Sequence, residues 1–390
     1  MRNKTALLLV LIYAAFISLG IPDSCLGVAW PAMRRGWGLP VDAIAPVTVV
    51  ATICSLLSGL AAARVLERLG TGLVVLLSCL LTGGAFLGYS LAPSIAWLYA
   101  LALPLGFGAG SVDAGLNHFV AEHYSSRHMN WLHGFWGVGA TIGPAIMASA
   151  VAGPGWASGY RAIAVLQLSL AAIFWASLPL WRREGAVPRR PPELEEARPA
   201  PGAAPPWAAW LGPVLYLLYL AVESGIGLWA ASILVDARGL AQPRAGLLLS
   251  LFYGTIMAGR FLTGAIADRL GNRRMVRLGL GLALAGGCLF GAGAFLGDAL
   301  WISAAGLALL GLGCAPVYPC LMHETPRRFD EATARRVVGR QVAFAYGGAT
   351  LVPPAYGFLA IRVGLEAIAA AVVAATLLLI GLSELLNSAT

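Results

Sequence analysis

The sequence predicts an all-α polytopic membrane protein, with twelve transmembrane helices arranged as two six-helix bundles. Three observations carry that expectation. The composition could not form a water-soluble surface, apolar runs recur along the whole chain, and one polar interruption midway has matching motifs on either side. Hydrophobic residues fill 59% of the 390 positions and charged residues only 11%, against about a quarter charged in soluble domains. The 48 glycines and 12 tryptophans fit a chain that lives in lipid.

An apolar run of about 20 residues crosses a hydrocarbon core as a helix. Twelve such runs occur, at 5–33, 42–64, 71–91, 95–122, 130–152, 160–182, 207–235, 245–267, 275–297, 299–323, 338–360 and 363–386. The first follows Arg2 and Lys4 as a secretory signal would, but it continues through Asp23 to Met33 without a clear small-residue cleavage site. It is read as a retained helix. Residues 183–206 are the one long polar stretch, too rich in Pro, Arg and Glu to bury a core. They form a cytoplasmic linker between an amino-terminal bundle, 1–182, and a carboxy-terminal bundle, 207–390.

The net charge of +8 reports topology. Nineteen of the 26 Lys and Arg fall at the amino terminus or in the even-numbered connections, six fall in the odd ones, and Arg260 lies within a run. The positive-inside tendency then places both termini in the cytoplasm, and no nucleic-acid partner is implied. Arginine outnumbers lysine 25 to 1, which suggests a GC-rich bacterial genome and so a bacterial inner membrane. The six cysteines all lie in predicted spans without zinc-like spacing and read as small apolar fillers. No nucleophile–base pair, phosphate loop or metal cluster stands out, so no enzyme, cofactor or metal is expected.

The two halves repeat one another. Asp23-Ser24 and Gly27 match Glu223-Ser224 and Gly227 at an offset of 200. Glu67–Gly70, "ERLG", matches Asp268–Gly271, "DRLG", at 201; Gly106–Gly108 matches Gly311–Gly313 at 205; Gly139–Pro144 matches Gly348–Pro353 at 209. Four matches in order, with an offset that only grows, indicate a duplication. A parallel repeat of six spans joined by a linker resembles the major facilitator superfamily. So does "GAIADRLGNRR", Gly264 to Arg274, which is similar to that family's signature loop between the second and third helices of a half. The resemblance implies that this loop locks a cytoplasmic gate, with Asp268 and Arg269 as working residues and Glu67 and Arg68 as a weaker pair. The first copy is degraded, with Ala63 for Gly, Glu67 for Asp, and Gly72 where Arg273 stands.

An ionisable group deep in a membrane is unfavourable unless paired or hydrated, and by default it marks a pathway. Four lie deep here: Asp23, Asp113, Glu223 and Arg260. In the superfamily the first, fourth, seventh and tenth helices line the central cavity, and the three acids fall on three of these. They are expected to be proton-coupling groups, because poor solvation and neighbouring acids favour the protonated carboxyl. Helical spacing puts Asp23, Gly27 and Trp30 on one stripe, Asp113 and Asn117 on another with Gly106 and Gly110, and Tyr219, Glu223 and Gly227 on a third. Trp229 points elsewhere unless the turn unwinds. Arg260 either snorkels toward the interface, serving the gate, or pairs with a carboxylate; the gate is the assignment preferred here.

"LYLAVESGIGLW", Leu218 to Trp229, and the stretch Asp113 to Pro144 resemble the seventh and the fourth and fifth helices of the hexose–proton symporters of the fucose permease group. That resemblance implies proton-coupled symport of a sugar-like solute by alternating access, with acids on the first and fourth helices acting in binding and coupling. Asp23, Asn117, Asn130, His133, Glu223 and Gln341 would supply polar contacts to such a solute. Trp30, Trp136, Trp229, Tyr219 and Tyr318 would supply aromatic ones. The implied partners are the solute, a proton and the bilayer, and the chain is expected to be monomeric. Two alternatives stay open: proton-driven export of amphipathic drug- or lipid-like compounds, since "GATIGP" resembles part of an antiporter motif, and a membrane sensor that keeps the fold without transport.

Overall fold

The computed structural model describes residues 2–123, 126–184, 205–296 and 299–390. Most of the linker, 185–204, and the side chains of Asp23, Asn130 and Asp268 lie outside the described residues. Every described element is helical. The first half holds α1 (Arg2–Trp37), α2 (Ala45–Leu69), α3 (Thr71–Ser90), α4 (Ile95–His123), α5 (Ser126–Ala152) and α6 (Trp156–Glu184). The second holds α7 (Ala208–Ser232), which ends in a π-helical turn at Ile233–Ala237, then α8 (Gln242–Leu270), α9 (Asn272–Ala292), α10 (Ala299–Cys314), α11 (Val317–Arg328), α12 (Glu331–Val363) and α13 (Glu366–Ala389).

Two departures from the expected twelve runs have physical causes. The expected tenth run, 299–323, is broken into α10 and α11 at Ala315 and Pro316. Pro316 lacks the N–H that would continue the ladder and disfavours helical geometry in the residue before it. By length and hydropathy, eleven of the described segments can cross a membrane. The expected run outside these eleven, 338–360, lies in α12, which at 33 residues is long enough. Its apolar character is diluted by Gln341, the Gly347-Gly348 and Pro353-Pro354 pairs, and Tyr346 and Tyr356.

The chain forms two compact units, Met1–Pro192 with Gln242–Ser250, and Glu193–Ala241 with Leu251–Thr390. In the first, glycines let helices touch backbone to backbone. A Cβ on Gly139 of α5 would overlap the Ile17 carbonyl of α1, and one on Gly20 would overlap the Trp136 carbonyl. Gly106 and Gly110 of α4 meet Ala51 and Ser55 of α2 in the same way. Buried polar groups tie these contacts: Gln167 of α6 donates to the Ser18 carbonyl at 2.8 Å, and Ser58 of α2 to the Phe107 carbonyl at 2.7 Å. Around them Phe16, Leu116, Val120 and Phe174 form an apolar core. The opening turns of α8 belong to this unit, where Gln242 donates to the Val28 carbonyl at 2.7 Å and accepts from Arg35 at 2.8 Å.

In the second unit α7 packs on α12 and α13, and α9 on α10 and α13. Arg238, just past the π-helical turn, pins one end of this unit. Its side chain is 2% exposed, Nε and Nη2 donate to the two Glu366 carboxylate oxygens at 2.7 Å, Nη1 donates to Ser303 at 2.9 Å, and the guanidinium carbon lies 4.4 Å from the Phe290 ring centroid. Glu366 is 34% exposed, so water partly compensates the charge left behind, and Arg238→Ala is expected to destabilise the protein by about 1–3 kcal/mol through its lost hydrogen bonds. Thermal melting in detergent measures this, and an unchanged melting temperature would show that the pair is not structural. Of the six cysteines, all free, five are buried as expected of fillers, while Cys288 is exposed.

Candidate functional site

Each unit carries its own set of deep polar groups. In the first, one helical turn puts Asn117 of α4 over Asp113, and the amide donates to both the Asp113 carboxylate and the Asp113 carbonyl at 2.9 Å. Both residues are half-buried. The glycines sharing their stripe are used for packing against α2, so the close approach they allow is that of a helix. On α5, His133 meets the edge of Phe16 with ring centroids 5.9 Å apart, and Trp136 is half-buried. Trp30 does not present a ring to a solute in this conformation. It is fully buried, and its indole N–H is engaged by the Val41 carbonyl at 2.7 Å.

The second unit brings together Tyr219, Glu223 and Arg260. Glu223 sits one turn beyond Tyr219 on α7, and the Tyr219 hydroxyl donates to its carboxylate. Arg260 of α8 reaches in from the side, with Nη2 3.5 Å from the same carboxylate oxygen and 3.4 Å from the Tyr219 hydroxyl. The side chains of Arg260 and Glu223 are 14% and 10% exposed. The gate placement preferred for Arg260 is therefore corrected: it pairs with a carboxylate inside, because Glu223 offers the charge that would otherwise have to be sought at the interface. Tyr318 adjoins this group, its ring 6.0 Å from that of Tyr219 and 4.7 Å from that of Tyr216.

Two other expected solute contacts in this unit are spent on packing. Trp229 is fully buried and donates to the Pro353 carbonyl at 3.1 Å, on the side the helical arithmetic indicated. Gln341 is 2% exposed and donates to Thr325 at 3.0 Å.

At the loop between α8 and α9, Arg269 is exposed, as are Glu67 and Arg68 on the first copy. The ordered contacts there are made by residues to which no role was assigned from sequence. Arg273 donates to Glu324 of α11 at 2.8 Å, Asn272 donates to the same carboxylate at 3.3 Å, and Arg273 also reaches the Asn387 carbonyl at 3.4 Å. The signal was available: Glu324 is the one acid in the run "HETPRR", facing a loop with two consecutive arginines. The first copy differs at the position of Arg273. Gly72 replaces arginine there, and the Trp181 ring lies where a side chain would go.

Residues 11–322 and 214–386 match the sequence model of the Major Facilitator Superfamily. The chain belongs to the major facilitator superfamily. Among relatives within it, the chain is similar to the uncharacterized transporter y4wD of Sinorhizobium fredii, 29% identical over 69% of each chain. It is 26% identical to the probable nitrate/nitrite antiporter NarK1 of Thermus thermophilus, over 72% of this chain and 63% of that one. It is 24% identical to the gallate transporter of Pseudomonas putida, over 78% and 75%. A mutant of the nucleoside transporter NupG shares the fold with a TM-score of 0.75 at 10% identity, over 96% and 98%. As a major facilitator protein the chain is a membrane transporter of small molecules, not an enzyme.

Proposed function

We propose that this transporter couples proton movement to the uptake of a small, carboxylate-bearing polar solute by alternating access. The observation behind this reading is the Tyr219–Glu223–Arg260 group. While Glu223 is ionised it balances Arg260. A proton on Glu223 leaves the guanidinium in need of an anion, and an incoming carboxylate restores neutrality. Proton and anion then move together, because each alone leaves an uncompensated charge in a poorly solvated place. Asp23 and Asp113 are the acids of the first bundle, with Asn117 holding the Asp113 carboxylate in place. The Arg273–Glu324 contact is assigned to the gate together with Glu67, Arg68, Asp268 and Arg269, on the cytoplasmic side of an inner membrane. The names of two relatives, a nitrate/nitrite antiporter and a gallate transporter, point to anions as well.

A sugar-like neutral solute is the second reading, favoured by the paired carboxylate and amide of Asp113 and Asn117. The test is reconstitution in liposomes with an acidic exterior, following small aromatic and aliphatic carboxylates, a hexose panel, and dye export. Carboxylate accumulation that collapses with a protonophore is expected. Hexose accumulation in its place would install the second reading, and dye expulsion would install the exporter. No gradient-driven movement of any of them would sink proton coupling.

A further inference from the structure

Beyond its contact with Glu324, Arg273 reaches a third helix. Its Nε donates to Glu324 of α11 at 2.8 Å, while Nη1 and Nη2 donate to the main-chain oxygens of Asn387 and Thr390 at 3.4 and 3.3 Å. All three nitrogens of one planar guanidinium are thus engaged, and two of them rest on the end of α13. That end is held from the other side by Arg328 of α11, which is 3% exposed. Arg328 donates to the Asn387 amide oxygen at 2.6 Å and to the Thr390 hydroxyl at 2.8 Å. The links close a ring: α11 to α13 through Arg328, α13 to α9 through Arg273, and α9 back to α11 through Glu324. The carbonyls at a helix carboxyl end favour cations beside it, so charge and geometry agree here.

We propose that Asn387 and Arg328 are positioning residues of the gate, and that the end of α13 is its third member. This rests on the assignment of the Arg273–Glu324 contact to that gate. Arg328 fixes Asn387, the Asn387 and Thr390 main-chain oxygens fix the plane of Arg273, and the oriented guanidinium meets Glu324. A lysine in place of Arg273 would keep the charge, but a point donor on a flexible stem does not hold α11 and α13 at once. Members of such a network support one another, so loss of one link loosens the rest. Opening then requires α11 to leave α13 as well as α9.

The test needs no solute. The full-length protein in nanodiscs is treated with N-ethylmaleimide, and alkylation of each cysteine is followed by peptide mass spectrometry. Cys320 is 2% exposed and lies one turn before Glu324 on α11, so its rate reads opening. Cys288, already exposed, is the fast reference, and Cys79 of α3, 3% exposed, reports general loosening. Asn387→Ala cuts the Arg328 link without removing a buried cation, and Arg273→Lys keeps the charge. Each should speed Cys320 about tenfold with Cys79 unmoved. Asn387→Asp keeps an oxygen for Arg328 and should stay near wild type, as should Arg362→Gln at the far end of α12. Glu324→Gln tests the gate assignment itself and should speed Cys320 at least as much. If it does so while Asn387→Ala and Arg273→Lys do not, the proposal falls and the gate assignment stands. If Glu324→Gln leaves Cys320 slow, both fall. The proposal is also overturned if Cys79 accelerates in step with Cys320, which is a merely structural effect, or if Asn387→Asp behaves as Asn387→Ala does.

Discussion

Glu223→Gln is expected to lower proton-driven solute accumulation at least about 100-fold while leaving solute exchange without a gradient largely intact. Glutamine keeps the length of the side chain and can still accept from Tyr219, so the local shape is retained. It cannot take up or release a proton, and it removes the charge that balances Arg260. Leaving one member of a buried pair uncompensated costs about 3–5 kcal/mol, so the variant should also melt earlier. The double variant Glu223→Gln/Arg260→Met should recover the melting temperature, since an apolar chain of similar size replaces the stranded cation, yet it should recover no coupling. Paired uptake, exchange and melting measurements separate the two roles. Full gradient-driven uptake by Glu223→Gln would remove this acid from the mechanism.

Gly139→Leu is expected to yield no folded transporter. At this position α5 lies on α1 with nothing between the backbones, and even a Cβ would meet the Ile17 carbonyl. A backbone carbonyl inside two packed helices cannot step aside as a flexible side chain can. The helices would have to separate along the line that also holds the Gly20 and Gly143 contacts, at a loss of several kcal/mol in packing. Gly84→Ala is the matched control, because a Cβ there meets nothing within 4 Å. Size-exclusion profiles after detergent extraction decide the matter. A monodisperse Gly139→Leu peak with the wild-type melting temperature would contradict the packing account.

Helix existence was plain from sequence because bilayer thickness sets the length of each apolar run. The break at Pro316 was not, since proline in a membrane helix can kink it or end it, and the sequence does not say which. The helical stripes correctly joined Tyr219 to Glu223 and Asp113 to Asn117, which are local relations. They could not say what covers a face. Trp30 falls on the Asp23 stripe and is nonetheless engaged by Val41, and the environment of Gln341 depends on Thr325 and Gly212, on other helices. Arg260 and Glu223 are 37 residues apart on different helices, so only three-dimensional packing brings them into contact. The same holds for Arg273 and Glu324.

The interruption after α10 leaves α11 as a separate rod of 12 residues, about 18 Å long at 1.5 Å per residue. One end is fastened by the Tyr216 hydroxyl donating to the Tyr318 carbonyl at 2.7 Å, and the other carries Glu324. Pro326 lies inside α11 but beyond Glu324, so a tilt imposed where the tyrosines cluster reaches the Arg273 clasp through the helical turns from Tyr318 to Glu324. Pro316, with no amide to donate, sits at the interruption between α10 and α11, the place where such a tilt would be absorbed.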